Sequence, residues 1–304
     1  MPVPETPHQP VARRLAAALE PFVGSVYFAP ECHRNYESLG FAPSRGDANG
    51  VALPDGPAYF TSRGSLMGQV AGEVVAAAFG VFNPAAVVPS VAHGWSLTDA
   101  ATIAAARAEG AIAQLRRILG PSPAGTTAVL GALGDAVAVL QPSGRPLFAG
   151  VISQPEPADD LGRAWWLGDA LREYRGDAHT AAWIAAGLDA VEIGLLTEAW
   201  LGLPLDSYIR TRAWSPEQIA AGVARLRERG LLTPERTFTE AGRALRASIE
   251  AATDHQLDTA VQVLGARADD VVTILSGWSD AVRAAKGYLG AGAGDLARQA
   301  RPEP

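Results

Sequence analysis

The sequence predicts a mainly α-helical protein made of two similar halves, with one small β-hairpin in the second. Three observations carry this. Apolar residues recur at helical spacing along most of the 304 residues, 48% of which are hydrophobic. Helix-start and helix-stop residues bracket those runs. A series of landmarks in the first half returns in the same order in the second.

Residues 1–10 are proline-rich and read as a flexible arm. Val11 to Phe22 forms an amphipathic helix, and "APECHRNYESLG" a short one stopped by Gly40. Residues 41–58, "FAPSRGDANGVALPDGPA", have the composition of an irregular loop, long enough to serve as a lid. Helices follow over 68–82, over 83–95 with Asn83-Pro84 at its entry, and over 96–120 with Ser96 as cap and Gly120 as stop. Residues 121–142 add one more. In the second half a helix over 160–175 ends at Gly176, and Asp177 caps the next. Further helices cover 187–203, 204–214 from Pro204, and 215–230 between Ser215 and Gly230. "LLTPERTF" is then a two-strand wing, and Thr239 caps the following helix. Residues 255–303 are alanine-rich and helical, with a glycine-rich fray at 287–294.

The recurring landmarks are Glu73, Pro84 and Trp95-Ser96 against Glu192, Pro204 and Trp214-Ser215, preceded by Arg63-Gly64 and Arg175-Gly176. They suggest two winged-helix-like halves from a diverged internal duplication. The alternative is coincidence in an alanine-rich helical chain. The organisation expected is an arm (1–10), a first half (11–150), a second half (151–254), and C-terminal helices (255–304) that pack on the core or dimerise.

The composition excludes several classes. Cys32 is the only cysteine, so no intrachain disulfide or cysteine-based zinc site can form. The net charge of −7 disfavours broad attachment to nucleic acid or anionic membrane. No apolar stretch reaches the length of a membrane span and the N-terminus has no signal-peptide pattern, so a cytoplasmic location is expected. There is no glycine-rich phosphate loop and no nucleophile elbow, and no cofactor is expected. His33 and Glu37 stand one turn apart but lack a third ligand, so no metal is expected; His93 reads as a helix-end histidine.

The stretch "LREYRGDAHTAAWIAAGLDAVE" (171–192) holds the main candidate site. His179, in the first turn of a helix after Asp177, would titrate in a useful range and act as acid or base, with Asp177 orienting it. It would equally serve as a core histidine bonded to a carbonyl. Arg175 and Arg63 would clamp an anionic group, or else pair with Glu73 and Glu192. Phe60, Met67, Phe79, Trp166 and Trp183 would supply apolar walls.

The runs "FTSRGSLMGQVAGEVVAAAFGVFNP", "LREYRGDAHTAAWIAAGLDAVE" and "RLRERGLLTPERTFTEAGRALRASIEAATD" resemble the SalK-like helix-turn-helix proteins of bacteria, over most of residues 11–260. The 41–58 loop is expanded relative to that pattern. The family is mostly uncharacterised, with some members in natural-product gene clusters, so the resemblance implies a fold and a context. The wing segment also resembles MarR-type regulators, whose third helix enters the DNA major groove. Here that helix begins "SPEQIAAG", with Glu217 and no cation, and the matching first-half segment carries Asp99. Neither suits a phosphate-lined groove. The function expected is therefore a small-molecule-binding protein of bacterial secondary metabolism, with a natural-product tailoring enzyme as one form of it. The ligand would be largely apolar or aromatic and partly anionic. Alternatives are a ligand-responsive transcriptional regulator and a metabolite-sequestering resistance protein. A homodimer is compatible with all three.

Overall fold

The computed structural model describes residues 10–299, so the expected arm lies, but for Pro10, outside the described residues. Helix α1 (Val11–Gly24) buries Leu15, Leu19, Phe22 and Val23, one stripe at spacings of three and four. A 3-10 turn leads to α2 (Pro30–Ser38), which ends just before Gly40 at φ 98°. Residues 41–58 are not wholly irregular. Asp47–Ala48 (β1) and Val51–Ala52 (β2) pair antiparallel around Asn49-Gly50, and both turn residues hold positive φ. Asp55 then caps α3 (Gly56–Gly64), accepting the Ala58 N–H.

Helices α4 (Gly72–Phe79), α5 (Pro84–Leu97) and α6 (Ala100–Leu119) follow. Asn83 caps α5 as expected, accepting the Ala85 N–H at 3.0 Å. The cap of α6 is Asp99, not Ser96. Its carboxylate accepts the Thr102 N–H at 2.9 Å, where a negative charge also suits the helix dipole. Ser96 lies inside α5 and donates to the His93 carbonyl. Next come α7 (Thr126–Ala138) and α8 (Pro146–Ile152).

Helix α9 (Asp160–Ala185) departs most from the sequence expectation. Its 26 residues run straight through Gly176 and Asp177. A glycine inside a helix costs about 1 kcal/mol against alanine. That cost is offset here because α9 packs on α1, α6, α7 and α8, burying Leu161, Trp165, Leu171, Tyr174 and Trp183, while Gly176 faces outward.

Helix α10 (Ala190–Trp200) is capped by Asp189. Only a 3-10 turn, Tyr208–Arg212, stands where a helix over 204–214 is expected. Helix α11 (Pro216–Glu228) begins at a capping box of Ser215 and Gln218. The two-strand wing shrinks to one bridge, Leu232 to Phe238, because the Thr233–Thr237 loop leaves no length for strands. Thr239 caps α12 (Glu240–His255), accepting the Gly242 N–H at 3.0 Å. The chain closes with α13 (Asp258–Leu264), α14 (Ala268–Ala284) and α15 (Ala293–Gln299). Helix α14 lies along α1, with the Trp278 and Phe22 ring centroids 5.2 Å apart and Ser279 donating to the Ala18 carbonyl.

The protein is thus mainly helical, and β1–β2 is the only sheet among the described residues. Its apolar side chains gather in three clusters. The largest joins α1, α2, α6, α7, most of α9, α13 and α14. The second joins the C-terminal end of α9 to α10, α11 and Ile249 of α12. The third lies within α3, α4 and α5 and includes Leu147. No single described helix is long and apolar enough to cross a membrane; α9 and α10 together reach that test only across a 108° bend.

Candidate functional site

Three of the residues expected at a site meet in one cleft of about 210 Å³. Arg63, Arg175 and His179 line it together with Gly176, opposite the α1 side chains Ala12, Leu15 and Leu19. The arginines, however, are already engaged. Arg63 forms a bidentate pair with Glu173 (3.0 and 2.6 Å), its guanidinium lying 4.5 Å from the centroid of the Phe79 ring. Arg175 donates to Glu250 and Asp254 at 3.0 and 3.2 Å. Glu73 and Glu192 are therefore not their partners. Glu73 is exposed, and Glu192 completes the α10 capping box and pairs with Arg225 and Arg229. Burial alone would raise the Glu173 carboxyl, but Arg63 and Arg172 overcome this and hold it at about 2. Arg246 and Arg175 do the same for Glu250, against the effect of its burial.

His179 is not a titrating acid–base group at neutral pH. Burial pushes its imidazole down to about 4 against the opposing pull of Glu250, with Arg246 and Arg175 adding to the lowering. The Thr253 hydroxyl donates to the Ile249 carbonyl (2.7 Å), so its oxygen is left to accept from His179 Nδ1–H at 3.1 Å. That network assigns the proton to Nδ1 and leaves Nε2 as a bare acceptor. Asp177 neither caps its own helix nor touches this imidazole. Its Oδ2 accepts the Leu147 and Phe148 N–H groups at 3.1 and 3.0 Å, capping α8 from across the core. Burial raises its carboxyl to about 6 despite those two bonds.

The expected apolar walls are scattered. Phe60 lines a larger cavity described below, and Phe79 carries Arg63. Met67 packs against the α3–α5 cluster. Trp166 lines a third cavity, nearer the N-terminus of α9. Trp183 shares a helix face with His179, yet it packs into the α10–α11 cluster, because α9 has by then passed beneath those helices.

The larger cavity, about 540 Å³, lies within the roughly 300–1,000 Å³ of small-molecule sites. It adjoins the cleft, since Glu20 and Arg172 line both. Its walls include Tyr27, Tyr59, Phe60, Phe82 and Tyr208, and the 41–58 segment contributes Arg45, Pro54 and Pro57 at its rim. Arg172 is held by Glu20 and Glu173, Arg210 by Asp206, and Arg45 stands 3.8 Å from Asp55. Arg212 differs. Its guanidinium lies over Phe82 (4.6 Å) and Tyr208 (4.5 Å) and donates to the Tyr208 hydroxyl, and no carboxylate among the described residues pairs with it. Burial lowers its basicity; Tyr59 and Tyr288 oppose this, while Arg63 and Arg172 push the same way as burial. Arg212 is therefore a half-buried cation with no carboxylate beside it among the described residues. Sequence reasoning passed over Arg212; the signal was the density of Tyr and Arg in "YIRTR".

The α11 surface is mixed in charge. Its exposed residues begin with Pro216, Glu217, Gln218, Ala220, Ala221 and Ala224; Arg225 and Arg229 are drawn to Asp189 and Glu192, and Arg227 is exposed. Its N-terminus is also stapled to α5, for Asn83 Nδ2 donates to the Ala213 carbonyl and to Gln218 Oε1.

These features define a mainly helical protein with one small two-stranded sheet among the described residues. The chain belongs to a helix-turn-helix family, whose profile matches residues 12–289. No curated protein and no solved structure matches the chain.

Proposed function

We propose that this protein uses its helix-turn-helix scaffold to bind a small organic anion with an aromatic body in the 540 Å³ cavity. One observation carries this reading: Arg212 stands at the aromatic wall with no carboxylate partner among the described residues. The ligand's carboxylate would meet Arg212, its ring would lie among Tyr59, Phe60 and Phe82, and the 41–58 segment would cover the mouth. The anion-holding role thus moves from Arg63 and Arg175, which are neutralised, to Arg212. His179 Nε2 would accept a hydrogen bond in the adjoining cleft. The resemblance to SalK-like proteins, some of them in natural-product gene clusters, favours a secondary metabolite as ligand. The order α4–α5–α6 against α10–turn–α11 remains the basis for inferring a duplication.

Titration with 1-naphthoate tests the reading. Binding that weakens tenfold or more in Arg212→Gln supports it, and so does the same loss when neutral 1-naphthol replaces the acid. No binding by the wild-type protein, or unchanged affinity in the variant, refutes it. A ligand-responsive regulator is the second reading, favoured by family membership. A mobility shift with DNA from its own operon at about 0.15 M salt would support that reading.

A further inference from the structure

A third cavity, of about 370 Å³, shares no lining residue with the other two. It exists because α6 presents Ala101, Ala104, Ala105 and Ala108 where larger side chains would meet α9, leaving space before Trp165 and Trp166. Both indole N–H groups are committed, Trp165 to the Val23 carbonyl (3.4 Å) and Trp166 to the Val151 carbonyl (3.0 Å). Indole faces favour cations; Arg107 already lies over the buried Trp165 ring, and Trp166 is the more exposed of the two.

The charges lining this cavity have the opposite balance to those of the larger one. Its lining holds Arg107 and four carboxylates, Glu109, Glu156, Asp159 and Asp169. Arg107 binds Asp169 Oδ2 at 2.8 Å and stacks 5.0 Å from the Trp165 centroid. Arg163 pairs with Glu156, and Arg116 with Asp159. Two acceptors are left over. Glu109 has no ion-pair partner among the described residues, and Asp169 Oδ1 is buried without a hydrogen bond, in a residue only 1% exposed. A buried carboxylate oxygen without a donor is costly, and burial correspondingly raises the Asp169 carboxyl against the pull of Arg107.

We propose that this cavity is a second ligand site that takes a small organic cation, a primary ammonium on an aromatic or apolar body. The body would lie on Trp165 and Trp166 against the alanine face of α6. The ammonium would donate to Asp169 Oδ1, with Glu109 adding negative potential at the mouth.

Isothermal titration of the full chain with 2-phenylethylammonium tests this, with 3-phenylpropionate as the charge-reversed probe. The amine is expected to bind, and Ala108→Leu, which fills the cavity and touches no charge, is expected to weaken it at least tenfold. The same variant is expected to leave naphthoate binding in the larger cavity unchanged. Trp166→Phe provides a second readout, because it should diminish the fluorescence change on amine binding even if Ala108→Leu does not fold. Absence of amine binding at millimolar concentration overturns the proposal. So does amine affinity indifferent to Ala108→Leu, a fluorescence change undiminished in Trp166→Phe, or phenylpropionate displacing the amine. Failure of naphthoate to bind would count against the larger cavity alone.

Discussion

Replacing His179 with glutamine should flatten part of the acid response of stability. Burial holds the folded imidazole at about 4 against an ordinary 6.5. A base with a lowered folded value contributes stability that is fully present above 6.5 and lost as pH falls toward 4. At pH 5 the unfolded imidazole is protonated and the folded one is neutral, so linkage removes about 2 kcal/mol relative to pH 7. The side chain is part-exposed, and solvent screening reduces this to about 1–2 kcal/mol. Glutamine does not titrate and still offers an N–H to Thr253. Between pH 7 and pH 5 the unfolding free energy of His179→Gln should therefore rise by about 1–2 kcal/mol relative to wild type. Urea denaturation followed by circular dichroism at both pH values measures the difference. Asp177, raised to about 6, responds in the opposite sense but identically in both proteins, so it cancels. A difference that does not change with pH would refute the reasoning, as would an imidazole resonance titrating near 6.5.

The remaining predictions use the same denaturation assay. Asp177→Ala should cost about 1–2 kcal/mol, because two α8 N–H groups lose their acceptor. Asp177→Asn should be tolerated, since both bonds fall on one oxygen, and it should abolish the loss of stability that Asp177 causes as pH rises from about 4 to 6. Asp169→Ala should cost about 3–5 kcal/mol by leaving Arg107 buried and unpaired, visible as a lower urea midpoint. Two glycines of one chemistry should diverge in sign. Gly110→Ala would place a Cβ 2.6 Å from the Cys32 backbone where α6 crosses α2, and should destabilise by about 1–3 kcal/mol. Gly176→Ala meets nothing closer than Glu173 Oε2 at 3.7 Å and should stabilise by about 0.5–1 kcal/mol.

Local signals were legible and distant ones were not. Asn83, Ser215, Gly120, Gly230 and Thr239 mark helix ends through bonds that close within a few residues, so sequence alone places them. Gly176 and Asp177 carry the same local signature and mislead. The helix does not break there because tertiary burial along α9 outweighs one glycine, and the groups Asp177 caps belong to Leu147 and Phe148, thirty and twenty-nine residues earlier. The charged part of the site shows the same limit. Arg63, Arg175 and His179 do share a cleft, but their state depends on Glu173, Glu250 and Thr253. Only the crossing of α9 with α3 and α12 identifies those partners. Trp183 sits at helical spacing from His179, and the spacing says nothing of where a long helix leaves one core and enters another.

The ligand and regulator readings are coupled through one short segment. The Arg212 carbonyl accepts the Asn83 N–H at 2.9 Å, and the next carbonyl, of Ala213, accepts Asn83 Nδ2. Ala213 holds φ 63°, an uncommon conformation for a residue with a Cβ, and Ser215 two residues later caps α11. A ligand that drew the Arg212 guanidinium from Tyr208 would therefore load the joint that sets the α11 N-terminus. A binding energy can shift α11 only by its difference between the two poses of that joint. Mobility shifts must accordingly be compared with and without an aromatic carboxylate. A DNA complex indifferent to the ligand would separate the two activities. A complex that appears or vanishes with the ligand in wild type, but not in Arg212→Gln, would place both on this segment.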